Sequence, residues 1–188
     1  GIPEDAANKI FDEMTSFAAY AFNKSHAAAY ATVAYQTAWL KQHYPAQFLA
    51  SLMTYPADAN AVAHLIRNAA EMNIETLQPD VNKSMKNFST EDGKIRYGLL
   101  GVKHVGEAMV EEIISARERK MPSDIFEFVE GLDVHQINRQ GLESLIKAGA
   151  MDCFPGSRAQ KLAVIGDLIE SAQSSAKNNL SGQISLFS

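Results

Sequence analysis

A Lys-Ser-His tripeptide stands inside a long stretch that contains no acidic residue. No Asp or Glu occurs at residues 14–57, although the chain of 188 residues has a formal net charge of −5. Lys24, His26, Lys41 and His43 lie within this stretch, and all four are cationic or protonatable. A helix that begins at the tripeptide would offer free N–H groups and positive charge, which a phosphate group needs. The residues therefore predict an anion-binding surface.

The polar residues of this stretch share one face of a predicted helix. Counted at 100° per residue, that face carries His26, Tyr30, Val33, Thr37 and Lys41. Ser25 is a typical N-cap residue, and the helix is expected to continue to about His43. Spacing alone leaves an alternative open, in which the aromatic residues of the helix belong to a core and Lys24 is merely solvated.

A second candidate site is a glycine hairpin. It consists of Gly101, Val102, Lys103, His104, Val105 and Gly106. Its glycines permit a tight turn, and the N–H groups of a helix starting at Glu107 would face a DNA phosphate. Residues 94–120 contain six basic side chains against four acids, a local balance of +2. This pattern predicts sequence-independent, salt-sensitive DNA contact, or alternatively a hairpin that only packs helices together.

The elements that must position these residues are nearly all helices. Apolar spacing and capping residues predict helices at residues 3–16, 25–43, 45–53, 107–119, 123–130, 138–148 and 157–178, and a further one from Asp58 or Asn60 to residue 73. Residues 94–99 are the one predicted strand, residues 87–93 a loop, and Gly149 a helix-terminating glycine. The expected fold class is mainly α, with one short strand or β-hairpin. Expected domains are residues 1–75, 76–155 (the helix-hairpin-helix) and 156–188.

Composition limits the possible classes of protein. The chain is 46% apolar, has no apolar run long enough to cross a membrane, and contains one cysteine, Cys153, which fits a reducing cytosol. His43, His64 and His135 lack metal-ligand spacing, so no metal site is expected. Because the chain is acidic overall, any nucleic-acid contact must be local. The first residues read as if cut from a longer chain.

Several peptides carry a family resemblance over nearly the whole chain. They are Phe22-Asn23-Lys24-Ser25-His26-Ala27-Ala28-Ala29-Tyr30 and residues 34–41, 44–48, 79–84, 95–99 and 145–152. These peptides closely resemble the fingers domain of the C-family replicative DNA polymerases, the family of the bacterial polymerase III alpha subunit. The resemblance is long, is ungapped and includes unusual residue types.

The resemblance implies that the chain holds an incoming deoxynucleoside triphosphate and template-primer DNA in the cytoplasm. It points to Lys24, Ser25, His26, Tyr30 and Lys41 for the nucleotide. Mg²⁺ would be bound by the carboxylates of the polymerase palm, which this chain lacks, so the chain is expected to be inactive alone and to need no cofactor. Expected partners are DNA, nucleotides and other replicase subunits, the sliding clamp among them, and no membrane.

The end of the chain, Gln183-Ile184-Ser185-Leu186-Phe187, looks like the short peptide with which bacterial replication proteins dock on the sliding clamp. A similar segment also occurs in the family as a passage to the next domain, and this linker interpretation is favoured. An alternative function from another class is therefore a non-enzymatic module that binds DNA through the hairpin or the clamp through this tail.

Overall fold

The described residues of the first part of the protein form two helices. The computed structural model describes residues 1–19, 24–55 and 58–180, and the chain divides into two compact units, Gly1–His43 and Tyr44–Ser188. In the first unit α1 spans Glu4–Ala19 and α2 spans Lys24–His43. None of the side chains described in these helices is buried, and Tyr30 remains 65% exposed. The aromatic residues of α2 thus form no core within the described part of this unit.

Ser25 does not have the capping position that the sequence predicted. An N-cap residue needs a non-helical backbone, but Lys24, which precedes Ser25, is already helical. Ser25 therefore lies in the first turn of α2. This first turn contains no acidic residue, while Lys41 and His43 lie in the last turn.

The second unit contains six helices among its described residues. They are α3 (Pro45–Thr54), α4 (Ala59–Glu71), α5 (Glu107–Arg119), α6 (Ile125–Glu130), α7 (Arg139–Lys147) and α8 (Arg158–Leu180). Local sequence explains where several of them begin, because Asp58 and Asn138 accept first-turn N–H groups at 2.8 and 2.7 Å. Gly149, with a φ of 84°, ends α7 as the sequence predicted.

A small three-stranded sheet lies between α4 and α5 in the sequence. β1 (Thr76–Leu77) pairs in parallel with β3 (Lys94–Arg96), and β2 (Ser89–Glu91) pairs with β3 in antiparallel fashion. The mainly α fold class with a β-hairpin is confirmed. The predicted strand is β3, whereas β2 lies where the sequence indicated a loop and β1 was missed.

Two apolar clusters hold the second unit together. In the smaller one, Leu49 and Met53 of α3 pack with Ala69 of α4 and Ile95 of β3. The larger one joins α5, α6, α7 and α8 to two hairpin residues, Val102 and Val105. The hairpin is thereby fixed to the main core. The domain boundaries near residues 75 and 155 stay predictions.

None of the helices described has the length and apolar character that a membrane span requires.

Candidate functional site

The glycine hairpin has its apolar residues inside and its polar residues outside. A single 3-10 turn, Leu99–Gly101, leads into it. Val102 and Val105 are buried, and the Val105 amide donates to the Val102 carbonyl at 3.2 Å. Lys103 and His104 are exposed between them, with His104 at a φ of 65°. The turn thus presents a lysine and a histidine at its tip.

Gly106 leaves the start of α5 open. It is the N-cap of α5, provides no side-chain cap, and has an ordinary φ of −90°. Apart from Gly106 itself and its two chain neighbours, no residue has an atom within 4 Å of the position that a Cβ would take there. The first-turn N–H groups of α5 thus lie at the positive end of the helix dipole without a side-chain cap from Gly106.

One acidic residue at this helix start is held by a lysine. Lys86 forms ion pairs with Glu107 and, at 3.2 Å, with Glu111. The ammonium group lowers the pKa of Glu107, and the carboxylates raise the pKa of Lys86. The negative charge of Glu107 is thus compensated within the protein.

Helix α7 packs closely against the hairpin at Gly141. A Cβ on Gly141 would lie 2.7 Å from the Met109 sulfur and 2.9 Å from the His104 carbonyl oxygen. The Gln140 amide nitrogen also lies 3.3 Å from the His104 ring. Sequence reasoning missed Gly141, whose only signal was a glycine in the first turn of a predicted helix.

Partly buried hydrogen bonds join the loop before β2 to Tyr97, which follows β3, and to α5. The Ser84 hydroxyl donates to the Tyr97 carbonyl at 2.7 Å and accepts from the Asp80 amide at 2.9 Å. Arg117 of α5 donates to the carbonyls of Val81 and Ser84 at 3.0 and 2.7 Å. Burial lowers the pKa of Arg117. Arg117 thus has a structural role.

The excess of basic residues around the hairpin does not form a free basic surface. Four of them bind carboxylates: Lys94 to Glu75 at 2.6 Å, Arg96 to Glu91 at 2.7 Å, Arg119 to Glu112 at 2.9 Å and Lys120 to Glu127 at 2.8 Å. Of the six, Lys103 alone makes no hydrogen bond or ion pair within the described part of the chain. The local charge of +2 therefore overstates the positive charge that is available to a ligand. Among these six residues, Lys103 is the exposed one whose charge no described residue engages.

The predicted nucleotide residues fall into two places on α2. Lys24, Ser25 and His26 share the first turn, and the ring centroids of His26 and Tyr30 lie 4.4 Å apart. Lys41 lies in the last turn, about 25 Å farther along the axis at 1.5 Å per residue. The helix thus brings four of the five residues together and leaves Lys41 separate.

The tail peptide from Gln183 to Phe187 lies outside the described residues, as do Phe22 and Asn23. In the described part of the chain, no three His, Cys, Asp or Glu side chains are placed to hold a metal ion.

Comparisons with known proteins agree with this geometry. The helix-hairpin-helix motif family matches residues 73–161, which include the hairpin and α5 to α7. The chain is 43% identical over its whole length to the DNA polymerase III subunit alpha of Thermus aquaticus, of which it covers 15%. The same subunit of Deinococcus radiodurans is 42% identical over 97% of this chain, and that of Escherichia coli K12 is 41% identical over all of it. The chain thus spans about 15% of the length of these relatives.

Proposed function

The chain belongs to the family of DNA polymerase III alpha subunits, and on this premise we propose that it is the fingers region of a DNA-directed DNA polymerase. The 43% identity over the whole chain carries the proposal. In it, the chain binds the incoming deoxynucleoside triphosphate and template-primer DNA during replication, in the cytoplasm and together with other replicase subunits. Mg²⁺ bound by the palm would supply the charge stabilisation for nucleotidyl transfer, which this chain alone would not catalyse.

The first turn of α2 is the proposed site for the triphosphate. A compact cation and the N–H groups of a helix start favour phosphate oxygens, and no acid stands in this turn. Lys24 supplies the charge, His26 an imidazole and Ser25 a hydroxyl, and Tyr30 packs against the imidazole of His26. Lys41 is too far along the helix to contact the same phosphates, so it would serve another part of the nucleotide or the DNA.

The hairpin is the proposed site for a DNA phosphate. The open N–H groups behind Gly106 and the exposed ammonium group of Lys103 can contact one backbone phosphate without reading its base. Such a contact releases counterions, so its strength falls as salt rises.

Salt-dependent binding to a blunt DNA duplex tests the hairpin. We expect Lys103→Gln to weaken binding and to reduce the slope of log affinity against log salt by about one. Lys94→Gln is the matched control, because Glu75 already holds that ammonium group at 2.6 Å. If both substitutions weakened binding equally, the proposal that the hairpin contacts DNA would be contradicted.

Nucleotide titration tests α2. We expect a deoxynucleoside triphosphate to shift the NMR signals of Lys24 and His26, and Lys24→Gln to weaken that response. The control is Lys9→Gln, which removes an exposed lysine from α1. Duplex binding without any triphosphate response at α2 would instead favour the alternative, a DNA-binding module without a nucleotide site.

A further inference from the structure

A cavity of about 400 Å³ lies between the hairpin and the second half of α7. Its volume falls within the range of sites that bind small molecules, roughly 300–1,000 Å³. Side chains from three parts of the second unit line it, including Tyr97, Val102, Lys103, Ser144, Lys147 and Ala148. It is separate from the open N–H groups at the start of α5.

The aromatic side of this cavity is held in place. The Tyr97 ring fits against Gly101, where a Cβ would lie only 2.7 Å from Tyr97 Cε1. Its hydroxyl donates to the Gly101 carbonyl at 3.3 Å, and the Phe88 ring centroid lies 4.5 Å from that of Tyr97. Burial raises the pKa of Tyr97, so the ring stays neutral. A fixed, uncharged ring is suited to stacking against another planar group.

The charged side chains that line the cavity are all positive. The lining contains two lysines and no acid. Lys103 has no partner within the described residues, and Lys147 lies 3.6 Å from Glu143 with 63% of its side chain exposed. An occupant that satisfies both the tyrosine and the lysines has a planar apolar body and a negative charge.

We propose that this cavity binds one unpaired nucleotide, with its base against Tyr97 and its phosphate at Lys103 and Lys147. Stacking on an aromatic side chain together with lysine–phosphate contact is how proteins bind single-stranded nucleic acid without reading its sequence. The hairpin proposal concerns the backbone of a duplex. Gly101, Val102 and Lys103 of the hairpin also line the cavity, and Lys103 is the one phosphate contact that both proposals use. A base released from the duplex and a free mononucleotide have the same chemistry, so both are possible sources.

Fluorescence anisotropy with the 188-residue chain tests the cavity. The ligands are a labelled thymidine oligonucleotide, an abasic oligonucleotide of equal length and charge, and a blunt duplex. We expect the thymidine strand to bind about fivefold or more tightly than the abasic strand, because only the former can stack. Ala148→Leu, which fills the cavity, should abolish this preference and leave duplex affinity unchanged.

Two control variants match the substitutions. Ala163→Leu adds the same volume on the exposed side of α8 and should keep the preference for bases. Lys83→Gln is the matched control for Lys147→Gln, because the Lys83 Nζ lies at a similar distance, 3.7 Å, from the Glu91 carboxylate. Lys147→Gln should weaken binding of the thymidine strand more than Lys83→Gln does. This comparison holds even if Ala148→Leu fails to fold.

Two results would overturn the proposal. One is equal affinity for the thymidine and abasic strands, and the other is Lys147→Gln behaving like Lys83→Gln. If neither result is obtained, competition by deoxythymidine monophosphate identifies the source, since displacement of the thymidine strand indicates a free nucleotide and its absence a strand. If the unsubstituted chain bound the thymidine strand but not the duplex, the hairpin proposal would fail and the cavity proposal would stand.

Discussion

At the residue scale, Gly141 and Gly166 are both glycines inside helices, yet their surroundings differ. A Cβ on Gly141 would press on the Met109 sulfur and the His104 carbonyl, whereas on Gly166 it would meet the flexible end of Arg139 at 3.3 Å. Gly141→Ala should therefore destabilise the protein by about 1–3 kcal/mol through overpacking. Gly166→Ala should be neutral, or stabilising by up to about 1 kcal/mol through helix propensity. Denaturant unfolding measures both, and equal effects would contradict the packing argument.

Substitution of Gly106 should affect DNA binding more than stability, whereas substitution of Gly141 should affect stability. Space around it is open, and an alanine at the N-cap costs at most about 1 kcal/mol. A Cβ at Gly106 would nevertheless stand where a phosphate must approach the first turn of α5. Gly106→Ala should therefore weaken duplex binding severalfold with little change in the free energy of unfolding. Unchanged duplex affinity in anisotropy measurements would show that no phosphate approaches there.

Glu127 provides a pH-dependent contribution to stability. Its carboxylate accepts from Lys120 at 2.8 Å and from the Ser123 amide at 3.0 Å, and these bonds lower its pKa to about 2. Because this pKa is below that of the unfolded chain, the contribution is present above about pH 5. It is lost as the pH falls towards 2. The stability difference between the native chain and Glu127→Gln should shrink over that range, while the control Glu130→Gln changes little at any pH.

Charge was the property least predictable from individual residues. The sequence correctly gives six basic residues between Lys94 and Lys120. Which of them are available depends on acids that are distant in sequence, such as Glu75 for Lys94 and Glu127 for Lys120. Ion pairs of this kind follow from tertiary structure, and a count along the chain cannot reveal them.

At the element scale, the start of α5 depends on a lysine from a different part of the chain. Lys86 pairs with both Glu107 and Glu111 and so offsets one of their two negative charges near the first turn of α5. Lys86→Met should lower duplex affinity more than stability, because solvent screens exposed ion pairs and they contribute little to folding. Part of the lost affinity should return in the double variant Lys86→Met with Glu107→Gln. No recovery would mean that Lys86 acts through its own charge on DNA.

Helices and strands differed in how far sequence could predict them. The predicted bounds of α5 are those of the structure, and the first residue of α3 is the predicted proline, Pro45. These limits depend on local residue types, which are the glycine that precedes α5 and the proline that opens α3. β1 has only two residues and exists because Thr76 and Leu77 pair with β3, about twenty residues later. Such a strand has no periodicity of its own, so sequence alone could not show it.

At the scale of the whole molecule, the two units differ in what stabilises them. The second has two apolar clusters with fully buried residues such as Met53 and Ile113. In the first, none of the described side chains is buried, and α2 exposes apolar residues that include Val33, Tyr35 and Trp39. Most helical stability in proteins comes from tertiary packing, because isolated helices are marginal in water. The first unit should therefore be much less stable than the second.

Hydrogen exchange measured peptide by peptide tests this difference. Amides of α1 and α2 should exchange with local opening energies near zero, about those of fraying segments. Amides in the middle of α5 and α7, next to Val110 and Leu145, should open only with the second unit as a whole, because these residues are fully buried. Helix α8, whose buried residues include Ile165, is the internal control for a long helix that does pack. Protection of α2 equal to that of α8 would contradict the prediction, because it would require burial that the described residues of the first unit do not provide.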